Sequence, residues 1–156
     1  MPDQWLTGSG YEIFFRDLVK IICSHADRGG KVFIGSDSML NGDSCTFVTA
    51  ICLHGDKTDY SGRYFFKKKK ASKVQFSNLQ TRISAEVEKS IAIGMKVISI
   101  KPDADVEIHI DIGSSPKSKT RSLVDMMTVW ARGAGFSCKI KPEAWASASI
   151  ADKHTK

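Results

Sequence analysis

Three segments of the chain carry apolar residues at helical spacing, and each predicts an amphipathic helix. The first is SGYEIFFRDLVKIICSHADRGG (9–30), which Ser9 can cap and the paired glycines end. The second spans 78–93 and the third 118–132. Their apolar faces are formed by Tyr11, Phe15, Leu18 and Ile22; by Leu79, Ile83, Val87 and Ile91; and by Leu123, Met127 and Trp130. After Pro142, the small residues of EAWASASIADKHTK predict a terminal helix.

Five other segments predict β-strands. KVFIGSDS is a short apolar run, typical of a strand buried at the centre of a sheet. SCTFVTAICLHG and GRYFFKKKK follow it after the turn-forming connectors NGD and GDKTDYSG, so these three strands are predicted to form an antiparallel meander. DVEIHIDIG alternates between an isoleucine-rich face and a face that carries Glu107, His109 and Asp111. FSCKIK supplies the last strand.

The order of these elements predicts a mixed α/β fold. Its five-stranded sheet would contain three antiparallel strands followed by two parallel ones, with helices on both faces and an extra helix at the amino terminus. A right-handed crossover through the 78–93 helix would make the first and fourth strands parallel neighbours. We expect one domain over 1–156, in which an arm and helix (1–30) precede the core (31–156).

Composition adds expectations about location and partners. Apolar residues make up 42% of the chain and charged residues 26%, which is ordinary for a globular protein. The amino terminus has no basic-then-apolar leader, and no apolar run approaches the ~18 residues of a membrane span. A cytoplasmic protein without a membrane partner is therefore expected. The four cysteines lack C-x-x-C spacing and are predicted to be buried thiols. A net charge of +6 favours nucleic acid or another polyanion as partner.

Two aspartates stand at the carboxyl ends of predicted strands, where sites gather in sheets of this kind. Asp37 ends KVFIGSD, and Asp111 ends DVEIHID. The two carboxylates come close together if their strands are parallel neighbours. Taken singly, each is more often a turn residue, and Asp111 could form an Asx turn in DIGSS.

Glu86 interrupts the apolar pattern of the 78–93 helix. With about 100° per residue and Leu79 at 0°, Glu86 falls near −20°, inside the apolar sector, whereas Glu88 falls near 180°. Glu86 is therefore predicted to point at the sheet. A buried carboxylate costs several kcal/mol unless it is paired, hydrogen-bonded or bound to a cation. The alternatives for Glu86 are an ion pair with a lysine or arginine and a shared cation site.

Converging carboxylates repel one another and raise each other's pKa. Mg²⁺ or Mn²⁺ resolves this conflict, because both are hard cations that take carboxylate oxygens. Two such ions about 4 Å apart can promote phosphodiester hydrolysis. Asp152 in the terminal helix is added as a fourth acid, because Ala148 and Ser149 one turn earlier are small enough to approach the sheet. Alone, an acid near a chain end is most often solvated.

Basic residues and one histidine complete the candidate set. A loop of basic residues follows Asp111 at the amino end of a predicted helix, where a phosphate is favoured. The run of four lysines from Lys67 to Lys70, called the lysine run below, could contact phosphate or could protect a sheet edge from aggregation. His154 could assist proton transfer, whereas His109 is expected to be satisfied in the interior. The predicted nucleic-acid contacts are Lys117, Lys119 and Arg121 in the loop and Lys67, Lys68, Lys69 and Lys70 in the run.

Several motifs resemble those of the YkuK-type ribonuclease H-like proteins of bacteria. These motifs are FIGSDS, EVEKS, HIDIG, TRSLV and above all KIKPEAWASASIADKHTK, and the similarity extends from about residue 31 to the end. The resemblance implies a ribonuclease H-like fold. It also implies an active site built from acids on the first strand, the first internal helix, the fourth strand and the last helix. These positions are occupied by Asp37, Glu86, Asp111 and Asp152.

These observations predict a metal-dependent phosphodiesterase that cleaves RNA, an RNA–DNA hybrid or structured DNA with two Mg²⁺ or Mn²⁺ ions. All four acids are expected to be both catalytic and metal-binding. The alternative is a non-catalytic ribonuclease H-like module that binds nucleic acid or a protein. The sequence makes no prediction of oligomeric state.

Overall fold

A seven-stranded sheet organises the part of the chain that the computed structural model describes, residues 4–56 and 62–156. The strand order is β2-β1-β5-β4-β3-β6-β7. The strands are β1 (Trp5–Thr7), β2 (Glu12–Ile13), β3 (Lys31–Asn41), β4 (Ser44–His54), β5 (Arg63–Ser72), β6 (Val106–His109) and β7 (Ser137–Lys139). The helices are α1 (Phe15–Asp27), α2 (Leu79–Ile100) and α3 (Val124–Gly133), with 3₁₀ turns at Lys73–Phe76 and Arg121–Leu123 and a π-helical terminal helix at Ala146–Ala151.

The five central strands have the predicted arrangement. β3, β4 and β5 form the antiparallel meander, in which Asp37 lies opposite Val48. β3 and β6 are parallel neighbours, with Ile34 opposite Ile108, and β7 is parallel to β6. The α2 crossover makes this pairing possible. Residues 57–61 of the predicted connector GDKTDYSG lie outside the described residues.

The expected strand number was wrong, because the amino-terminal segment adds two short strands to the sheet. β1 pairs with β5 through Leu6 and Phe66, and β2 folds back onto β1. The predicted helix at 9–30 therefore begins only at Phe15. Tyr11, expected on its apolar face, is 74% exposed and belongs to a turn in which its N–H donates to Thr7 Oγ1 at 3.1 Å.

Side chains alternate along the strands and divide the interior into two apolar clusters. The larger cluster contains residues of α1, α2 and α3 against one sheet face, with Ile34 and Ile108 at its centre. The smaller cluster lies on the opposite face, where the terminal helix contributes Ala146 and Ala151. Helices therefore cover both faces, and the terminal helix lies opposite α2.

The terminal helix lies directly on the backbone of β3. A Cβ added to Gly35 would meet Ser147 N at 2.4 Å and the Ala146 carbonyl carbon at 2.6 Å, so only glycine allows this approach. The buried small residues here are Ala146, Ser147 and Ala151. The prediction that Ala148 and Ser149 would approach the sheet was wrong, because both are exposed. An α-helical wheel with 100° per residue does not identify the buried positions here, because the segment is a π-helix. Its hydrogen bonds join residues five apart, which brings such residues close together on one side of the helix.

Helix α3 is shorter than the predicted 118–132 helix. Residues Arg121–Leu123 form a 3₁₀ turn, and the α-helix begins only at Val124. Leu123 and Met127 are buried as expected, but Trp130 is 38% exposed and does not belong to the apolar face. Ala131 takes the interior position instead.

All four cysteines are free, and Cys45, Cys52 and Cys138 are buried as predicted, whereas Cys23 is half-buried. Among the described helices, none combines the length and the apolar character that crossing a bilayer requires.

Candidate active site

Asp37 lies on β3 with its carboxyl group largely removed from water. The prediction that it ends its strand was wrong, because β3 stays paired with β4 as far as Asn41, and Asp37 within the strand is only 8% exposed. Burial, a hydrogen bond with the Asp152 carboxyl group and the negative charge of Asp111 raise the pKa of Asp37 from 3.8 to about 8. The terminal helix thus brings Asp152 beside Asp37.

Glu86 on α2 is buried, as its position on the helical wheel predicted, and it is 7% exposed. Ser38 Oγ donates a hydrogen bond to Glu86 Oε2. Burial raises the pKa of Glu86 well above 4.5, and the charges of Asp37 and Asp111 raise it further, while the Ser38 hydrogen bond and Arg82 oppose this shift. Glu86 therefore shares an electrostatic site with both aspartates.

Asp111 follows β6 and has one carboxylate oxygen without a hydrogen-bond partner. This atom, Oδ1, is buried. Lys141 Nζ lies 3.3 Å from it, an ion-pair distance without hydrogen-bond geometry. Lys141 reaches this place because the β6–β7 pairing continues past the strands, with the Lys141 N–H donating to Ile112 O at 2.9 Å.

The acids approach the site from both faces of the sheet. Ser38 faces α2 and binds Glu86, so its neighbour Asp37 faces the terminal helix, which carries Asp152. Ile110 and Ile112 both belong to the larger apolar cluster, so the intervening Asp111 points away from it. Three aspartates therefore lie on the side of the terminal helix, and Glu86 reaches them from the opposite side.

The side chains are not arranged as a closed metal site. Among residues 4–56 and 62–156, no group of three or more histidine, cysteine, aspartate or glutamate side chains is placed so that it could hold a metal ion.

His109 fastens the terminal helix to β6. Its Nδ1 accepts the Ala146 N–H at 3.0 Å, so Nε2 carries the proton and donates to Glu107 Oε2 at 2.7 Å. Burial lowers the pKa of His109 below 6.5, although Glu107 opposes this effect. The expectation of a satisfied interior histidine is confirmed. Through Ala146, His109 fixes the start of the helix that ends with Asp152.

The predicted basic loop lies at the amino end of α3, next to Asp111 in sequence. The Gly113 N–H donates to Thr120 Oγ1 at 2.9 Å, and Ser118 Oγ lies 2.9 Å from the same oxygen, which ties the loop together. The three basic side chains, Lys117, Lys119 and Arg121, are exposed. Their contact with nucleic acid stays a prediction.

The lysine run does not form one surface. Lys67 and Lys69 follow Phe65 onto the α2 face of the sheet, whereas Lys68 and Lys70 follow Phe66 onto the face of the terminal helix. Among the described residues, β1 pairs with the first half of β5, at Phe65 and Phe66.

Two contacts restrict the His154 side chain. Its Nε2 lies 2.8 Å from the Tyr64 hydroxyl, and its ring stacks on Phe66 with a centroid distance of 3.8 Å. Burial and the charges of Lys153 and Lys68 lower the pKa of His154. These contacts anchor the chain end, and proton transfer by His154 stays a prediction.

Four residues at the site escaped the sequence reasoning: Gly35, Ser38, Lys141 and His109 in its anchoring role. Ser38 could have been noticed in the sequence. It is two residues from Ser36 in the predicted strand, so the two hydroxyl groups must lie on the same face of the sheet. Gly35 and Lys141 offered none, because their roles depend on elements more than 100 residues away or on the adjacent parallel strand.

A profile of the Ribonuclease H-like family matches residues 14–156. The uncharacterized protein YkuK of Bacillus subtilis (strain 168) is 28% identical over 138 residues, which covers 79% of this chain and 77% of YkuK. No solved structure shows significant similarity. The chain therefore belongs to the ribonuclease H-like family, within which it is similar to YkuK-type proteins.

Proposed function

We propose that this protein hydrolyses phosphodiester bonds of nucleic acid with the help of Mg²⁺ or Mn²⁺. Membership of the ribonuclease H-like family points to nuclease or other nucleic-acid-related activity. The observation that carries the proposal is the buried carboxyl pair of Asp37 and Glu86, whose pKa values are both raised by burial and by Asp111. Groups with strongly perturbed pKa values that converge from several elements are typical of functional sites.

The acids present suit a hard divalent cation. All four side chains offer carboxylate oxygens, which Mg²⁺ and Mn²⁺ prefer. Asp111 Oδ1 is buried and accepts no hydrogen bond, so a cation would compete for this oxygen with the ion-paired Lys141 ammonium group. Because no closed group of three ligands is present among the described residues, metal binding requires the side chains to draw together. We propose that Asp37, Asp111 and Asp152 hold the ions and that Glu86 completes their surroundings.

When bound, two such ions supply positive charge that polarises the phosphate and stabilises the transition state. The chain's own residues do the rest. Gly35 and His109 hold the terminal helix on the sheet, so that Asp152 stays beside Asp37. Ser38 orients the Glu86 carboxyl group. Lys141 balances part of the negative charge at Asp111.

A cleavage panel tests this function. We expect the purified protein to cut at least one of single-stranded RNA, RNA–DNA hybrid, duplex DNA and branched DNA in the presence of Mn²⁺ or Mg²⁺. Chelator should abolish cleavage of every substrate. The reaction products should be resolved on denaturing gels with the labelled strand identified.

Two results would contradict the proposal. Cleavage that persists undiminished in chelator would exclude the metal requirement. Retention of nucleic acid with no cleavage in any metal-containing reaction would favour the non-catalytic binding module instead.

A further inference from the structure

A basic groove runs between α2 and the β4–β5 pair, on the sheet face that α2 covers. Its floor is formed by Phe47, Thr49, Ala92 and Ile93. Its walls carry two lysines from β5, Lys67 and Lys69, and two from α2, Lys89 and Lys96. We call these four residues the lysine groove. None of the residues that line it is acidic.

The spacing of the four lysines follows from regular secondary structure. Lys67 and Lys69 lie opposite Thr49 and Phe47 on β4 and share one face because they are two residues apart. Lys89 and Lys96 are seven residues apart on α2, which places them on one side of the helix and about 10 Å apart along its axis. The groove is therefore lined by two lysines of β5 on one side and two lysines of α2 on the other.

Aromatic rings support these ammonium groups. Lys89 Nζ lies 4.9 Å from the centroid of Phe47, and Lys67 Nζ lies 5.3 Å from that of Trp5. Lys96 Nζ lies 5.6 Å from the centroid of Phe15. Such contacts hold a lysine ammonium group over an apolar surface.

The groups in the groove also repel one another. Burial lowers the pKa of Lys89, and the charges of Lys69 and Lys67 lower it further, while Glu88 opposes the effect. An anion bound among these lysines would relieve the repulsion. Phosphate is the anion that lysine contacts in nucleic-acid complexes.

We propose that the lysine groove is a phosphate-binding site that holds the backbone of the nucleic-acid substrate on the α2 face of the sheet, opposite the three aspartates. This inference rests on the proposed function for the identity of its ligand. Glu86, Lys89 and Lys96 lie on the same helix, so α2 connects the groove to the acidic site. Lys68 and Lys70 do not line the groove, because they face the other side of the sheet.

Binding without cleavage tests the groove separately from the nuclease activity. A short fluorescein-labelled single-stranded DNA is titrated with protein in chelator, and fluorescence anisotropy is measured at several salt concentrations. The variants are Lys67→Gln/Lys69→Gln, Lys89→Gln/Lys96→Gln and the control Lys20→Gln/Arg132→Gln, whose two side chains are exposed on α1 and α3. All three pairs remove the same charge, so a difference between them reports position.

We expect each groove pair to weaken DNA binding about tenfold or more and to reduce the salt dependence by about one phosphate contact per lysine. The control pair should change affinity less than about threefold. Inorganic phosphate should compete only at high concentration, because it offers a single anionic group to two rows of lysines.

Equal losses from all three pairs would overturn the proposal, since they would show that net charge alone matters. Tight binding of inorganic phosphate together with unchanged DNA affinity in both groove pairs would also overturn it, in favour of a free-phosphate site. Groove-dependent binding by a protein that cleaves no nucleic acid would uphold the groove and reject the proposed function. Cleavage with groove-independent binding would do the reverse.

Discussion

Asp37→Asn is expected to lower the rate of nucleic-acid cleavage on the order of 10³-fold or more, a loss of about 4 kcal/mol in transition-state stabilisation. Asparagine has nearly the shape of aspartate but lacks the negative charge that a divalent ion requires. The fold should remain intact, because the change removes a buried carboxyl group whose ionised form burial and Asp111 already disfavour. Cleavage assays in Mn²⁺ and thermal melts by circular dichroism measure the two effects.

Asp43→Asn is the matched control, because Asp43 is exposed in the turn between β3 and β4. It removes the same charge and should cleave like the parent protein. If Asp37→Asn retained undiminished cleavage while remaining folded, Asp37 would have no catalytic role and the site would need to be placed elsewhere.

Gly35→Ala is expected to separate the terminal helix from the sheet. The new methyl group would meet backbone atoms of Ala146 and Ser147 at 2.6 Å and 2.4 Å, and backbone cannot move aside as a flexible side chain can. We expect a loss of about 1–3 kcal/mol in the free energy of unfolding, in the range of overpacking substitutions. Cleavage should be lost as well, because Asp152 would no longer reach Asp37. Urea denaturation and the cleavage assay measure these losses.

Gly133→Ala controls for the loss of a glycine, since a Cβ at Gly133 meets nothing within 4 Å. Its stability should be unchanged or slightly higher, because alanine favours a helix over glycine. Trp145 provides a local signal: it contacts Phe33 with a centroid distance of 4.8 Å, so undocking should shift its fluorescence to longer wavelength. A Gly35→Ala protein with parental stability and activity would show that the close approach is not required.

The sequence predicted best where secondary structure is regular. Glu86 was placed correctly because α2 is an unbroken α-helix, for which 100° per residue holds. The parallel pairing of β3 and β6 followed from element order and the handedness of crossovers. Short strands were missed for the opposite reason: Glu12–Ile13 is too brief to show alternation, and its apolar neighbours imitate a helical pattern.

The buried positions of the terminal helix could not be predicted with an α-helical wheel. Its π-helical bonding shifts the buried positions to Ser147 and Ala151, away from the predicted Ala148 and Ser149. Lys141 was missed because its relation to Asp111 depends on pairing between two parallel strands. The lysine run was treated as one unit, although strand alternation sends its members to opposite faces.

Crystals grown or soaked with Mn²⁺ would show directly whether the acids form one cation site. We predict anomalous scattering peaks about 2–2.5 Å from carboxylate oxygens of Asp37 and Asp111, with Asp152 drawn toward the same peaks. Well-ordered crystals at saturating Mn²⁺ in which the Asp37–Asp152 hydrogen bond persists and no peak lies between Asp37 and Asp111 would contradict the proposed metal-dependent site.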